Sequence, residues 1–323
     1  MSATPSLTVH NLSVEFRTRS GVVKALESVS FTVAKGETLA IVGESGSGKS
    51  VTAYAVMGIL DPAGHVTGGT AMLGALDLLS ASKAAMDNVR GREIAMIFQN
   101  PRAALNPIRS VGRQIADVLV RHGNVPRSEA PERAIDMLRA VGIPDPSRRA
   151  KAYPFEMSGG MCQRVMIAIA IAAKPSLLIA DEPTTGLDVT TQAVIMDLIS
   201  DLAAGSGMAT IFITHDLALA AQRADRIAVM HAGHVIECAA TRELFERPRH
   251  PYTAELIAAT PDRVANLSEL ASIPGALPDL RRNDLPPCRY SGRCPRKSAD
   301  CDRALPRSPA IAAHMVACWN PLR

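Results

Sequence analysis

The sequence predicts an α/β protein, because short apolar stretches typical of strands alternate with segments typical of helices. Thr38 to Val42 is an apolar stretch, followed at once by a glycine-rich turn and a predicted helix from about Lys49 to Leu60. From Ser158 the pattern runs helix, strand, helix, strand, with Leu177 to Ala180 and Thr210 to Thr214 as buried strands. A strand, a glycine-rich loop and a helix in that order are the context of a phosphate-binding loop.

Further strands are predicted on both sides of this pattern. Leu7 to Phe16 and Val22 to Val33 show mixed alternation of apolar and polar residues, which favours strands. Arg226 to Met230 and His234 to Cys238 flank the tripeptide His231-Ala232-Gly233. Two strand-like runs around a short glycine-containing turn predict a β-hairpin.

Two regions depart from this alternation. Residues from about 101 to 153 carry Pro, Arg and amphipathic stretches at Ile115 to His122 and Glu132 to Val141, which predict a helical insertion. After about Ala240 the chain becomes rich in Pro, Arg and Cys. That shift in composition indicates a C-terminal appendage.

Composition favours a soluble globular protein, since 47% of the 323 residues are hydrophobic and 20% are charged. The longest apolar run, Val165 to Ala173, is far shorter than the ~20 residues of a membrane-spanning helix. The N-terminus has no basic start and no apolar core of a signal peptide. We therefore expect a cytosolic protein whose six cysteines are free thiols or metal ligands. A net charge of +4 does not by itself indicate a nucleic-acid binder.

The turn after the first apolar strand satisfies the pattern G-x-x-x-x-G-K-[ST]. Its glycines let backbone N–H groups converge on phosphate oxygens at a helix N-terminus. Lys49 is expected to reach the β- and γ-phosphates of ATP and Ser50 to bind Mg²⁺. The alternative is a plain glycine-rich turn. The loop consists of Gly43, Glu44, Ser45, Gly46, Ser47, Gly48, Lys49 and Ser50.

Two adjacent carboxylates, Asp181 and Glu182, follow the predicted strand Leu177 to Ala180. Carboxylates at the end of a buried strand are costly unless they serve a cation or a proton. Asp181 can hold Mg²⁺, and Glu182 can act on the attacking water as a general base. The alternative is a solvated strand end. His215 and Gln99 are weak signals alone and become candidates for orienting water and sensing the γ-phosphate only together with the loop.

Ser158-Gly159-Gly160, followed by a long helix, resembles the signature loop of ATP-binding cassette (ABC) proteins. The resemblance runs in order along residues 7 to 260. It implies that Gln99 is the Q-loop residue and a further Mg²⁺ ligand, that Asp188 belongs to the D-loop and that His215 is the switch histidine. It also places Phe16 where the family stacks adenine, with a core phenylalanine as the alternative.

The resemblance implies a RecA-like core with an antiparallel β subdomain and a helical subdomain. Residues 1–240 would form the nucleotide-binding domain, with the helical subdomain at about 101–165, and residues 241–323 a small Cys-rich extension. In this family the signature binds the γ-phosphate of ATP on the opposite subunit, so Ser158, Gly159 and Gly160 would complete a partner's site. Met161 and Cys162 depart from the usual signature.

Subfamily motifs resemble dipeptide and oligopeptide importer ATPases; they are Gln99 to Pro101, Leu105 to Pro107, Arg164 to Ala168 and His250 to Thr253. The implied partners are a second ABC ATPase subunit, two transmembrane permease subunits and an extracytoplasmic peptide-binding protein, with no nucleic acid. The implied location is the cytoplasmic face of the membrane. An importer ATPase for nickel or another small solute, and a soluble ABC ATPase acting on nucleic acid, are the alternatives. A non-hydrolysing regulatory cassette is disfavoured by Glu182 and His215.

Four cysteines, Cys288, Cys294, Cys301 and Cys318, lie in the last 36 residues, with spacing unlike common zinc or ferredoxin sites. The residues alone leave a metal site and no metal equally open. The resemblance favours a [4Fe–4S] cluster, with zinc second. Residues 281–323 hold nine Lys or Arg and three Asp or Glu, an excess that would offset an anionic cluster. The alternative is a basic surface near anionic lipid headgroups.

Overall fold

The computed structural model describes residues 5–260, 272–306 and 313–323. Residues 1–4 of the N-terminal stretch, and residues 261–271 and 307–312 of the predicted C-terminal extension, lie outside the described residues. The strands are β1 (Pro5–Thr18), β2 (Gly21–Ala34), β3 (Thr38–Val42), β4 (Gly64–Leu73), β5 (Leu76–Asp77), β6 (Ile94–Ile97), β7 (Leu177–Asp181), β8 (Ala209–Thr214), β9 (Arg226–His231), β10 (His234–Ala240) and β11 (His314–Val316). The helices are α1 (Lys49–Met57), α2 (Lys83–Val89), α3 (Pro101–Ala104), α4 (Val111–His122), α5 (Ala130–Ala140), α6 (Pro146–Arg149), α7 (Gly159–Ile171), α8 (Val189–Ser206), α9 (Leu217–Arg223), α10 (Thr241–Glu246) and α11 (Pro251–Ala258).

The chain forms two compact units. The first unit combines residues 1–81 with residues 212–323, and the second unit consists of residues 82–211. The residues of strand β8 include the point in the sequence, between 211 and 212, at which the second unit ends and the first unit resumes. Within the described ranges, none of the helices has the length and apolar character needed to cross a membrane.

The first unit contains an antiparallel sheet in the order β2-β1-β4-β5. On β1 the residues Leu7, Val9, Leu12 and Val14 are completely buried. Their spacing is not strictly alternate because the register between β1 and β2 shifts between Val9 and Val14. Such irregularities re-aim side chains along a strand, which explains the mixed alternation seen in the sequence.

A second group of strands in the first unit positions the phosphate loop. Strand β3 pairs in parallel with β9, β9 pairs with β10 as an antiparallel hairpin, and β10 pairs with β11. The last four residues of β3 are buried, as expected for a strand covered on both faces. Ala232 and Gly233 both have positive φ, at 46° and 87°, which is the backbone of a type I′ turn. The predicted hairpin is confirmed.

Helix α1 begins at Lys49 as predicted but ends at Met57, so the predicted end at Leu60 is wrong by one turn. Gly58 has a left-handed backbone and its N–H bonds to the carbonyl groups of Ala55 and Tyr54. This is the common way in which glycine terminates a helix.

The second unit pairs β6 in parallel with β7, and all five residues of β7 are buried. The predicted amphipathic stretches form α4 and α5, whose buried residues recur at every fourth position. Helix α7 follows them, and the Arg164 side chain on α7 donates a hydrogen bond to the carbonyl of Val141 at 2.7 Å. The candidate site residues of this unit follow β6 and β7 or stand at the starts of α7 and α8.

Candidate active site

Two glycines of the phosphate loop are required by the fold of the first unit itself. Gly43 follows β3 with φ 152°, and a Cβ at this position would stand 2.1 Å from the Met230 carbonyl oxygen. Gly48 precedes α1 with φ 103°, and a Cβ there would stand 2.6 Å from Leu26 Cδ2. A side chain at either position would clash, so the loop can pass this close to β9 and β2 only as glycine.

Lys49 is folded back onto the loop. Its side chain is buried, and Nζ donates hydrogen bonds to the carbonyl oxygens of Gly43 at 2.8 Å and Glu44 at 3.0 Å. The Ser47 N–H donates to the Glu44 carbonyl, and the Gly233 N–H donates to the Ser47 carbonyl. The loop therefore surrounds the Lys49 ammonium group at the N-terminus of α1. A helix N-terminus favours a bound anion, and the positive charge of Lys49 adds to that preference.

The second unit brings together two of the predicted catalytic residues, Gln99 and Glu182. Gln99 Nε2 and Thr185 Oγ1 each donate a hydrogen bond of 2.9 Å to Glu182 Oε2. Asp181, the last residue of β7, is buried, whereas Glu182 is partly exposed. Two donors thus hold the Glu182 carboxylate in one orientation.

Glu182 also has an unusual backbone, with φ 45°. A non-glycine residue in the left-handed region is strained, and such strain collects at functional sites. The chain leaves β7 through this left-handed residue, and Asp181 is buried whereas Glu182 is partly exposed. Neither a role for Thr185 nor the backbone of Glu182 was predicted from the sequence.

The signature residues lie at the N-terminus of α7. Ser158 caps the helix, its Oγ accepting a hydrogen bond from the Met161 N–H at 3.3 Å. A Cβ built on Gly159 would meet nothing within 4 Å, and one on Gly160 would meet only Thr191 Cγ2, at 3.6 Å. In contrast to Gly43 and Gly48, nothing described in this chain requires glycine at these two positions.

Three other predicted residues lie near chain turns or strand ends. Asp188 caps α8, accepting a hydrogen bond from the Thr191 N–H, and this bonding together with the Thr191 hydroxyl lowers the pKa of Asp188. His215 is exposed and directly follows β8. Phe16 lies on β1 opposite Gly64, where a Cβ would stand 2.8 Å from the phenylalanine ring. The glycine therefore leaves room for the Phe16 ring on that sheet.

The four clustered cysteines line one small pocket in the first unit. Burial raises the pKa of Cys288 to about 11 and also raises the pKa of Cys294 and Cys318, so that these thiols stay protonated at neutral pH without a cation. Among the described residues, no three His, Cys, Asp or Glu side chains are already arranged to hold a metal ion. All four cysteines line the same pocket, as a four-thiolate site would require, and the metal stays a prediction.

Comparisons with known proteins agree along most of the chain. The family profile described as "ABC transporter" matches residues 26–185, and the profile "Oligopeptide/dipeptide transporter, C-terminal region" matches residues 236–301. The chain is 45% identical to the dipeptide transport ATP-binding protein DppD of Bacillus subtilis (strain 168), over 97% of this chain and 94% of that protein. It is 48% identical to a probable peptide ABC transporter ATP-binding protein, y4tR, of Sinorhizobium fredii, again over 97% and 94%.

A solved structure supports the same fold. The dimeric structure of the ATP-binding cassette MJ0796 in a post-hydrolysis state, bound to ADP and Pi, matches with a TM-score of 0.65 and 26% identity. The match covers 73% of this chain and 99% of that one. The fold is therefore that of an ABC cassette.

Proposed function

The chain belongs to the ATP-binding proteins of ABC transporters, and from this premise we propose that it is the ATP-hydrolysing subunit of an importer for dipeptides or oligopeptides. The assignment of peptides as the substrate rests on the match of residues 236–301 to the C-terminal region of peptide transporters. The relatives named for peptide transport also align with both parts of the chain, not with the cassette alone. An importer for nickel or another small solute is the alternative.

ATP binding is assigned to the phosphate loop. Lys49, which holds two loop carbonyls, would exchange them for phosphate oxygens, and the N–H groups around Gly46 and Gly48 would bind the same phosphates. Ser50 and Asp181 each offer an oxygen ligand of the kind that Mg²⁺ prefers, and Gln99 offers a third. Mg²⁺, when bound with ATP, would neutralise charge on the β- and γ-phosphates. Phe16 is proposed to stack on the adenine.

Hydrolysis is assigned to Glu182. Gln99 and Thr185 both donate to its Oε2 and orient the carboxylate, which would accept a proton from the attacking water. Gln99 thereby fixes the carboxylate and Glu182 polarises the water. His215 is proposed to contact the γ-phosphate from the end of β8.

Pairing with a second nucleotide-binding subunit is supported by the signature glycines. A Cβ at Gly159 would meet nothing within 4 Å in this chain, so the residue leaves open space at the start of α7. A group from another subunit could approach there, and an anion suits the N-terminus of α7. We infer that Ser158, Gly159 and Gly160 bind the γ-phosphate held by the other subunit, with Asp188 beside that interface.

The proposed assembly contains this chain, a second, homologous ATPase subunit as its heterodimer partner, two transmembrane permease subunits and an extracytoplasmic peptide-binding protein. The chain would lie peripherally on the cytoplasmic face of the membrane.

Purification of the assembled complex tests this proposal. A tagged chain is isolated from detergent-solubilised membranes of its own organism, and ATPase activity is measured with the binding protein and either a dipeptide, an oligopeptide or Ni²⁺. We expect permeases to co-purify and peptide to stimulate hydrolysis. E182Q should lower the rate by about 10²–10⁴-fold, the usual contribution of a general base, whereas D201N, an exposed carboxylate on α8, should not. Co-purification of ribosomes or DNA, or stimulation by Ni²⁺ alone, would refute the peptide assignment.

A [4Fe–4S] cluster is proposed at Cys288, Cys294, Cys301 and Cys318, with zinc as the second choice. Its role would be structural, because a metal can order a Pro-rich segment that has little core of its own. Iron, sulfide and zinc are to be measured after anaerobic purification, with C162S as the control because Cys162 lies buried on α7. A metal-free protein whose C-terminal region is fully folded would contradict the cluster.

A further inference from the structure

The C-terminal region contacts the phosphate loop at two points within the first unit, and Leu277 lies beside a third. Arg293 forms a two-pronged ion pair with the Glu44 carboxylate, with Nη1 2.7 Å from Oε2 and Nη2 3.0 Å from Oε1. Tyr252 Oη accepts a hydrogen bond from the Glu44 N–H at 3.2 Å. A methyl group built on Gly46 would stand 3.5 Å from Leu277 Cδ1, which is van der Waals contact. Residues far along the chain thus hold both the backbone and the side chain of one loop residue.

Arg293 is itself held in place. Its side chain is only 5% exposed, and its Nε donates a hydrogen bond to the Pro274 carbonyl at 2.7 Å. Nη1 also lies 3.3 Å from His231 Nε2, and the guanidinium carbon lies 5.8 Å from the centre of the Tyr290 ring. A planar guanidinium fixed on several sides keeps its fork aimed at one carboxylate.

Charge explains why this contact matters for a phosphate site. Glu44 is a carboxylate in the loop that would receive the polyanionic phosphates of ATP, and like charges at short range oppose binding. Hydrogen bonding to Arg293 holds the pKa of Glu44 below its usual range, so Glu44 stays ionised at neutral pH. Its negative charge is therefore offset by a counter-charge and not by protonation. With 30% of the Glu44 side chain exposed, water screens the charge only in part.

We propose that Arg293 is a positioning residue of the ATP site, which neutralises Glu44 and, together with Tyr252, holds the phosphate loop in its binding conformation. The inference deepens the proposed function, because it rests on ATP binding by this loop. It gives the C-terminal region a direct effect on nucleotide affinity, in addition to any role with transport partners.

Binding of MgATP to the purified full chain tests the proposal by calorimetry. R293M should raise the Kd for MgATP about tenfold, which corresponds to about 1.4 kcal/mol. R281M is the matched control, since Arg281 pairs with Asp279 in the same C-terminal region and both side chains are about half exposed. Its Kd should stay within about twofold of wild type, because exposed ion pairs contribute little.

A double-mutant cycle separates neutralisation from a merely structural role. In the E44Q background no carboxylate remains to be offset, so R293M should raise the Kd no more than about threefold there. An equal rise in both backgrounds, or no rise in either, would overturn the proposal. A structural role alone would lower thermal stability without this dependence on Glu44.

Two further outcomes keep the test decisive. If R293M does not fold, R293K decides: it keeps the counter-charge to Glu44 but loses the two-pronged fork, so the Kd for MgATP should rise about threefold, and unchanged binding would overturn the proposal. If the wild-type chain itself fails to bind MgATP, the proposed function fails. If it binds MgATP normally and R293M does so equally well, only the role of Arg293 fails.

Discussion

Replacement of Gly159 by alanine should leave the chain itself at least as stable as wild type while disabling the assembled ATPase. Gly159 is the first residue of α7, outside the left-handed region, and an added Cβ would meet nothing within 4 Å. Glycine to alanine in a helix of compatible backbone typically stabilises by about 0.5–1 kcal/mol. In the complex, the same methyl group would occupy the space into which we propose that the partner's γ-phosphate enters. The rate of ATP hydrolysis should therefore fall by about 10²-fold or more.

Two assays separate these effects. Denaturant unfolding of the purified chain should give an unchanged or higher free energy of unfolding for G159A, and the ATPase rate of the assembled complex should fall. G43A is the contrasting variant, because its Cβ would stand 2.1 Å from the Met230 carbonyl and should cost about 3 kcal/mol or more. Normal ATPase activity of a G159A complex would refute the role of the signature in the partner's site. A large loss of stability in G159A would refute the inference that a Cβ at residue 159 meets no other atom of this chain.

Three further predictions concern the loop, the catalytic strand end and one buried histidine. K49A should abolish nucleotide binding. Because two loop carbonyls lose their donor, it should also lower the free energy of unfolding of the nucleotide-free chain by about 1–3 kcal/mol in urea titrations. Unchanged stability would contradict the folded-back Lys49. E182G should be more stable than E182A by about 1 kcal/mol, since glycine adopts φ 45° without strain, and equal stabilities would argue against strain at this position. Burial lowers the pKa of His231 to about 4 in the folded state, so the unfolded chain binds the proton first and the free energy of unfolding decreases as pH falls from 6.5 towards 4. H231Q should remove up to about 3 kcal/mol of that decrease. Identical profiles of unfolding free energy against pH for H231Q and wild type would exclude the effect.

Elements with a strong local signal were predictable from the sequence. The phosphate loop, β3 and the β9–β10 hairpin follow from apolar runs bounded by glycine, which act over a few residues. The end of α1 was missed because a glycine inside a helical pattern is compatible both with continuation and with a cap. Only the left-handed backbone of Gly58, which the pattern does not show, decides for the cap.

Site residues could be predicted when they belong to a recognisable motif, but not when only a contact in the folded structure identifies them. Glu182 and Gln99 were expected from the family motifs, and their hydrogen bond of 2.9 Å brings together residues 83 positions apart. The share of Thr185 in that contact was not expected, since a threonine after two carboxylates has no distinctive spacing. The roles of Gln99 and Glu182 in hydrolysis remain proposals, whereas their contact is observed.

The basic C-terminal region shows why charge counting assigns partners poorly. Its excess of Lys and Arg suggested an anionic cluster or a lipid surface, yet two of these residues, Arg289 and Arg293, pair with Glu27 and Glu44. Both side chains are almost completely buried, and a buried guanidinium without a carboxylate would be strongly unfavourable. At least part of the positive charge is therefore needed by the fold of the first unit itself. A cluster at the four cysteines would have to be offset by the remaining cations. One of these is Arg296, whose backbone N–H donates to Cys294 Sγ at 3.4 Å.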